Sequence, residues 1–248
     1  MIPPSTKAFT LLLLSLIFMP KMLLAADNPL VSSPSSSPIV APSKPTLQPA
    51  QLTPSMMESD STGWIDLLED STLSHWHRVP VGKQVKNILQ WKLNPSDKTL
   101  HCSGTGDHEN FQYAQEFGDG VFHCEWRFIP VEGATKYNSG VYIRNSPDGS
   151  IWHQAQVGYG NIGYIFGQTP MGGKISKLRV DDHVVQLGKP PGQWNTYELT
   201  AKGKKITLWI NGAVTATWES CEVPKGELGL EAEGWQIDFR NVKFKPTE

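Results

Sequence analysis

The sequence has few cysteines and no ligand spacing that would indicate a structural metal. Only three cysteines occur in 248 residues, at Cys102, Cys124 and Cys221. No Cys-x-x-Cys or His-x-x-x-His spacing is present, so a structural zinc site is not predicted. In an exported protein this odd number allows one disulfide and one free thiol, but the sequence does not choose the pair. We predict no metal and no cofactor; a calcium site built from scattered oxygens would leave no such spacing.

The chain also lacks basic runs and an apolar run long enough to cross a membrane. Its formal net charge is −2, which argues against a nucleic-acid partner. The apolar run from Ala8 to Met19 covers 12 residues, fewer than the roughly 20 of a membrane-spanning helix. Lys7 before this run and Ala25-Ala26 after it predict a signal peptide over residues 1–26. The mature chain is then exported, periplasmic or extracellular, without a transmembrane span; an uncleaved anchor is the alternative.

Composition divides the rest of the chain into a linker and one domain. Residues 27–60 are rich in Pro, Ser, Thr and Ala, which predicts a flexible linker without structure of its own. Residues 61–248 contain all nine tryptophans and are enough for one domain with a core. Helical periodicity is missing, whereas short strand-like segments recur between turn residues such as Asn211-Gly212. The predicted fold is therefore all-β, an antiparallel jelly-roll sandwich.

The segment from Tyr137 to Gln156 reads as two strands joined by a turn at residues 145–149. Side chains alternate between the faces of a strand, so Val141 and Ile143 point into a core. The opposite face is polar and aromatic at once, which suits a sugar, because hydroxyls need donors and acceptors while a pyranose ring stacks on an aromatic plane. An ordinary solvated sheet face is the alternative. This face carries Tyr142, Arg144, Trp152, Gln154 and Gln156.

The same alternation assigns charged residues of two further strands to the face away from the core. Glu125 and Arg127 alternate with Cys124 and Trp126, and Glu231 and Glu233 alternate with apolar neighbours. If all these faces belong to one sheet, a single surface collects carboxylates, guanidinium groups and amides. Cross-strand ion pairs of little energetic value are the alternative interpretation.

Seven short motifs occur in order along the domain. They are Asn138 to Arg144, Gln154 to Gln156, Gly163 to Gly167, Trp194-Asn195, Asn211-Gly212, Gly229 to Glu231 and Phe239 to Val242. Together they resemble the 3-keto-disaccharide hydrolase domain, over roughly Gly63 to Pro246. The resemblance implies a concanavalin A-like lectin/glucanase sandwich with its site on the concave sheet, in exported bacterial proteins that act on oxidised sugars.

The chain departs from the commoner pattern of that family at two places. Many relatives carry Glu-x-Gln where this chain has Gln154-Ala155-Gln156, and Gly-Leu-Gln-x-His where it has Gly-Leu-Glu231-Ala-Glu233. Because Gln cannot act as a general base, a role that Glu performs at position 154 is absent here or has moved to Glu231 or Glu233.

The resemblance favours an enzyme that cleaves the glycosidic bond of 3-keto-glycosides. The expected substrate is an oligosaccharide or an oxidised (3-keto) sugar. Such a reaction needs a base, an acid and a group that stabilises an enolate oxygen. We expect Glu231 or Glu233 as base or acid, and Arg144, with Arg127 as a second candidate, at the oxyanion. Direct hydrolysis by paired carboxylates, such as Glu125 with Glu231, is a variant. The substrate-binding candidates are Glu125, Arg127, Tyr142, Trp152, Gln154 and Gln156.

A non-catalytic carbohydrate-binding or adhesion module is the alternative to an enzyme. Lectins share the implied fold, and a fold alone does not fix a function. The missing Glu at position 154 and the long linker favour this alternative.

Overall fold

The computed structural model describes residues 52–180 and 187–247. The predicted signal peptide, residues 27–51 of the predicted linker and the end of the domain at Glu248 lie outside the described residues. Among the described residues, no helix has the length and apolar character needed to span a membrane. In chain order the elements are α1 (Met56–Ser59), β1 (Ile65–Asp66), β2 (Trp76–Pro80), β3 (Trp91–Asn94), β4 (Thr99–Cys102), β5 (Glu109–Phe117), β6 (Gly120–Phe128), β7 (Asn138–Asn145), β8 (Trp152–Gly158), β9 (Ile165–Met171), β10 (Lys174–Val180), β11 (Asn195–Lys202), β12 (Lys205–Ile210), β13 (Ala213–Trp218), β14 (Gly226–Ala232) and β15 (Ile237–Pro246).

The strands form two antiparallel sheets. The eight-stranded sheet has the order β13-β12-β11-β6-β15-β4-β3, with β1 paired to β15, and the seven-stranded sheet has the order β10-β9-β8-β7-β14-β5-β2. Consecutive strands pair at several places, but other neighbours are distant in sequence, as in β14, which lies between β5 and β7. The predicted antiparallel jelly-roll sandwich is confirmed.

Alternation along the strands builds the core between the sheets. Val141 and Leu230 of the seven-stranded sheet are fully buried, as are Phe122 and Phe239 of the eight-stranded sheet. Burying a side chain of this size stabilises the fold by about 1.5–3 kcal/mol. The residues between them in sequence therefore point to the outer faces, which is where polar groups can meet a ligand.

Three stacked aromatic rings join the two sheets at one edge. The ring of Phe111 on β5 lies 5.0 Å from Trp76 and 4.8 Å from Trp91, nearly parallel to both. The Trp76 indole donates to the carbonyl of Leu67 at 2.9 Å and the Trp91 indole to Glu109 Oε1 at 3.0 Å. Both indole N–H groups are thus paired inside the protein, as buried polar groups require, and these tryptophans act in packing.

Residues 52–60, which composition assigns to the linker, are folded onto the domain. Thr53 N–H donates to the carbonyl of Gly212 at 2.7 Å, and the backbone N–H groups of Met56 and Met57 donate to the Glu198 carboxylate at 2.8 and 3.1 Å. Ser55 caps helix α1 and Glu58 completes the capping box. The predicted boundary between linker and domain at residue 60 is therefore too far along the chain. Composition does not reveal this, because backbone hydrogen bonds hold these residues on the domain although they have little apolar surface.

The three cysteines are free thiols buried in the domain. Burial raises the pKa of Cys102 to about 12 and also raises the pKa of Cys124. The structure therefore contains none of the disulfides that the odd cysteine count left open, and the thiols act as small apolar core residues.

Candidate functional site

A groove of about 1050 Å³ lies over the outer face of the seven-stranded sheet. Its floor comes from the start of β5 and from β7, β8 and β14, and its walls include the end of β2, the start of β9 and the loop residues 81–82, 135–137 and 159–161. A hollow lined by aromatic planes with a few converging polar groups is typical of a ligand site. The aromatic lining consists of Tyr137, Tyr142, Trp152, Tyr159, Tyr164, Phe166 and Trp235.

Glu231 is buried at the groove floor and held by three side chains. Its Oε1 accepts the Tyr142 hydroxyl at 2.7 Å and lies 2.8 Å from His108 Nε2. Its Oε2 accepts the Gln154 amide at 2.8 Å. Because Leu230 and Ala232 point into the core, alternation along β14 directs Glu231 toward the groove. The carboxylate is thus fixed in one orientation.

Gly140 makes room for the contact between Gln154 and Glu231. A Cβ atom added at Gly140 would lie 2.3 Å from the Gln154 amide nitrogen. The missing side chain on β7 therefore lets the amide lie flat over the strand and reach Glu231. Packing thus explains the glycine of the Asn138-Ser139-Gly140 motif, because a side chain there would displace the Gln154 amide.

Glu233 is half-buried beside Glu231 and is held less firmly. The Asn138 amide donates a short hydrogen bond to Glu233 Oε2. Burial and the charge of Glu231 raise the pKa of Glu233, and His108 offsets only part of this. Burial works against protonation of His108, but its hydrogen bond to the Glu231 carboxylate and the two carboxylate charges prevail and raise its pKa. Two acidic groups and one imidazole thus share one hollow.

Gln156 forms a second amide network at the groove floor. Its Nε2 donates to Asn138 Oδ1 at 2.5 Å and to the Val157 carbonyl at 2.8 Å, and its Oε1 accepts the Tyr164 hydroxyl at 3.2 Å. Through Asn138, this network also positions Glu233.

The cluster of His108, Glu231 and Glu233 could hold a metal ion. One nitrogen of His108 and one carboxylate oxygen from each glutamate all lie within 4.8 Å of one another. Imidazole and carboxylate groups are ligands for several divalent cations. The same arrangement can also transfer protons without a metal, since it combines an imidazole and two carboxylates.

Six of the residues that alternation selects meet around this groove. Their convergence follows from the pairing of β14 with β7 and of β7 with β8. The six are Tyr142, Trp152, Gln154, Gln156, Glu231 and Glu233.

Arg144 does not reach the groove. Glu227 pairs with Asn145 and Gly229 pairs with Tyr142, so β7 carries one extra residue relative to β14. Arg144 sits at this bulge with φ +56°, which turns its side chain inward. The guanidinium is fully buried; it donates to Asp119 Oδ1 at 2.7 Å and to the carbonyls of Gly203 and Val223 at 2.8 and 2.9 Å. The simple alternation that placed it on the sugar-binding face fails at a β-bulge.

Glu125 and Arg127 do not reach the groove either. They lie on β6 in the eight-stranded sheet. Glu125 accepts from Arg240 at 2.7 Å, and Arg127 pairs with Asp238 at 3.0 Å. Alternation correctly gives the outward direction, but it does not tell which of two sheets a strand joins. The ion-pair alternative fits these two residues.

Sequence reasoning missed His108, Asn110 and Asn138. Phe111 points into the core, so alternation backward along β5 would have directed Asn110 and His108 outward. Asn138 stands at the start of the Tyr137–Gln156 segment and was not assigned a role. Only the pairing of β5 with β14 shows that this end of β5 meets Glu231.

Comparisons with known proteins agree with the fold. The model of the family described as the 3-keto-alpha-glucoside-1,2-lyase-like domain matches residues 63–245. No curated protein sequence matches the chain. A Parabacteroides distasonis protein provisionally assigned as a glycosyl hydrolase shares 16% identity at TM-score 0.53, over 79% of this chain and 99% of that one. A second such protein from the same species has 16% identity and TM-score 0.50, over 74% and 99% of the two chains. A glycosidic hydrolase also aligns, with 11% identity and TM-score 0.50, over 75% and 95%. At these identities the structures show a shared fold.

Proposed function

The chain belongs to the 3-keto-alpha-glucoside-1,2-lyase-like domain family, and from this premise we propose that it is an enzyme that cleaves small 3-keto-glycosides. The observation that carries the proposal is the pair Glu231 and Glu233 with His108 on the floor of an aromatic groove. The groove supplies stacking planes and amides for a sugar, and the cluster supplies proton-transferring groups.

The reaction follows from the chemistry of a sugar ketone. A carbonyl at C3 acidifies the hydrogen on C2, so a carboxylate can take that proton and leave an enolate. The electron pair then forms the C1–C2 double bond as the C1–O bond breaks, and the departing oxygen takes a proton. Water can add back across the double bond, with hydroxyl on C1 and a proton on C2, so that the net result is hydrolysis. Positioned acid and base groups contribute about 10²–10⁴-fold in such steps.

The contacts of the two glutamates suggest different tasks. Glu231 has hydrogen bonds with Tyr142, His108 and Gln154, so it serves to position its neighbours. Glu233 is held by Asn138 alone among the described residues and lies nearer to solvent, so we assign the proton transfer at C2 to Glu233. Trp152, half-buried at the wall, serves as a stacking plane for the ring.

Replacing the carboxylates one at a time tests the proposal. Glu233→Gln should lower release of free sugar from a 3-keto-glucoside by about 100-fold or more, because an amide cannot accept the C2 proton. Glu231→Gln should also lower it, through misplacement of His108. Glu125→Gln is the matched control, since that carboxylate lies on the other sheet, and it should keep full turnover. Full activity in both groove variants would remove the cluster from the mechanism.

A carbohydrate-binding module is the second candidate. The Gln154 amide donates to Glu231, so position 154 supplies no base. Incubation with oxidised and unoxidised disaccharides, followed by product analysis, separates the two functions. Binding without turnover of any sugar would favour the module.

Export is part of the proposal. The sequence favours cleavage after Ala26, which would place the domain where extracytoplasmic saccharides are available. Mass spectrometry of the protein from its native host should find Asp27 at the N-terminus; an intact Met1 in the purified protein would contradict cleavage.

A further inference from the structure

Four potential metal ligands lie where the start of β5 meets the end of β14 at the groove floor. Asn110 on β5 pairs with Glu231 on β14, and Glu109 pairs with Ala232. His108 directly precedes β5 and Glu233 directly follows β14, so both residues lie just beyond this last pair. Residues two apart on a strand share a face, so all four side chains belong to the groove side, and all four line the groove.

The ligand atoms of His108, Glu231 and Glu233 are close enough for one ion after a small adjustment. His108 Nε2 lies 2.8 Å from Glu231 Oε1, and the His108, Glu231 and Glu233 ligand atoms all lie within 4.8 Å. Metal–ligand distances of about 2.1 Å place neighbouring ligand atoms roughly 3–3.5 Å apart. His108 stands at the edge of β5 with about a third of its side chain exposed (34%), so its ring has room to rotate.

Asn110 provides an independent sign of a ligand. Its side chain is only 4% exposed, and its Oδ1 has no hydrogen-bond partner. A buried amide oxygen without a partner is costly, and carbonyl oxygens are good ligands for hard cations. The orphaned oxygen belongs to the residue that pairs with Glu231.

The carboxylates are supported in the way that metal-binding carboxylates usually are. Tyr142 and Gln154 donate to Glu231 and Asn138 donates to Glu233. Hydrogen bonds of this kind fix the orientation of ligating groups in metal sites.

We propose that His108, Asn110, Glu231 and Glu233 bind one divalent cation of the first transition row, such as Mn²⁺ or Zn²⁺. The ion would face the ketone oxygen of a bound 3-keto sugar and stabilise negative charge there. Arg144, which the sequence offered for that task, is buried elsewhere. The catalytic role of the ion, though not its binding, rests on the proposed function. Glu233 has one hydrogen bond, so it is the ligand whose carboxylate can reorient to accept the C2 proton.

Calorimetric titration of the chelator-treated, metal-free protein with MnCl₂ and with ZnCl₂ tests the site. One ion should bind per chain, and His108→Ala should weaken binding by about tenfold or more. His77→Ala is the matched control: His77 lies 2.7 Å from Glu227 with similar exposure (36% against 34%), but among the described residues no second carboxylate joins that pair in a ligand cluster. Asn110→Ala should weaken binding without adding charge, with far-ultraviolet circular dichroism to verify folding.

Three results would overturn the inference. They are the absence of saturable binding of either cation, binding by His108→Ala equal to that of the unaltered protein, or equal losses in His77→Ala and His108→Ala. Turnover of a 3-keto-glucoside by a protein that binds no ion would leave the proposed function standing without the metal. Binding of one ion without turnover of any 3-keto-glycoside would leave the site standing and remove the proposed function.

Discussion

The outer faces of the two sheets carry the same kinds of residues in different arrangements. On the eight-stranded sheet, Glu125 is paired with Arg240, and Asp238 is paired with Arg127. On the seven-stranded sheet, Glu231 and Glu233 lie together, and His108 is the one basic side chain in the described part of the chain that is hydrogen-bonded to either. Charges that already have opposite partners need no ligand to explain them. Two carboxylates that lie close together under a groove are better explained by a ligand. This difference distinguishes the groove as a candidate site from the other sheet face, where the charges are structural.

The largest expected effect concerns Arg144, which this comparison assigns to architecture. Arg144→Ala would remove the donor from two carbonyl groups and leave the Asp119 carboxylate with the Gly203 N–H as its remaining donor. Because Asp119 is 38% exposed and can be solvated, the cost comes mainly from the two lost hydrogen bonds of a charged donor, about 3–6 kcal/mol in the free energy of unfolding. Urea denaturation measures the loss, while turnover per folded molecule should be unchanged.

Arg144→Lys is the control for that experiment. An ammonium keeps the charge but cannot make the forked set of hydrogen bonds that a guanidinium makes. The stability of Arg144→Lys should therefore lie between that of the unaltered protein and that of Arg144→Ala. If a variant at position 144 had normal stability and no turnover, Arg144 would have to be assigned a role in the reaction.

The second effect concerns His153, a histidine on the inner face of the sheet whose outer face meets His108. His153 on β8 is fully buried, and its ring contacts the Ile143 carbonyl at 3.0 Å and Thr169 Oγ1 at 2.9 Å. Burial lowers its pKa from 6.5 to about 4, and the hydrogen bonds to the backbone offset only part of this. Above pH 6.5 the ring is neutral in both states. As the pH falls from 6.5 to 4, the unfolded chain binds a proton that the folded protein does not, so stability is lost.

The expected loss from His153 is about 3 kcal/mol by pH 4, at 1.36 kcal/mol per pKa unit. Urea denaturation between pH 7 and pH 4 measures it. His153→Gln keeps a donor and an acceptor but does not titrate, so its stability should depend less on pH by that amount. Parallel curves for the two proteins would show that His153 titrates normally in the folded state.

The sequence predicts the fold and the facing of strands well because both follow from local alternation. Tyr142, Gln154 and Glu231 were placed correctly on an outer face, since Val141, Ala155 and Leu230 are the apolar partners that alternate with them. Pairing between strands is a different matter. Glu125 and Arg127 face outward as predicted, but they do so on the other sheet, because their strand β6 joins β11 and β15.

Two further features depend on contacts that no local pattern reports. The bulge at Arg144 is a mismatch between β7 and β14, strands that are about 80 residues apart in the sequence. His108 precedes β5 and meets Glu231 at a sequence separation of 123 residues. A short polar segment such as His108 to Asn110 gives little signal until its partner strand is known.

The third effect compares a tryptophan on each face. Trp152 lines the groove, whereas Trp194 lies between the guanidinium groups of Arg127 and Arg240, at 4.6 and 4.1 Å from its ring centroid. Aromatic contacts contribute about 0.5–1.5 kcal/mol, so Trp152→Ala should weaken sugar binding by up to about tenfold.

Calorimetry with a 3-keto-glucoside and the Glu233→Gln protein as background isolates binding from turnover. Trp194→Ala in the same background should bind sugar normally and lose stability instead. Equal losses of affinity in the two tryptophan variants would mean that the groove is not the saccharide site, or that both faces bind sugar.

The smallest effect concerns the ion pairs of the eight-stranded sheet. Arg127 is 37% exposed and binds Asp238 at 3.0 Å. Asp238 is only 8% exposed but keeps its contact with His101 at 2.8 Å, and ion pairs with an exposed partner contribute about 0–1 kcal/mol, so Arg127→Ala should lower the free energy of unfolding by about 1 kcal/mol. Salt at about 1 M should shrink that difference, because it screens exposed charges. Turnover should not change; a loss of turnover in Arg127→Ala would extend the site to the second face and remove the contrast between the two sheets.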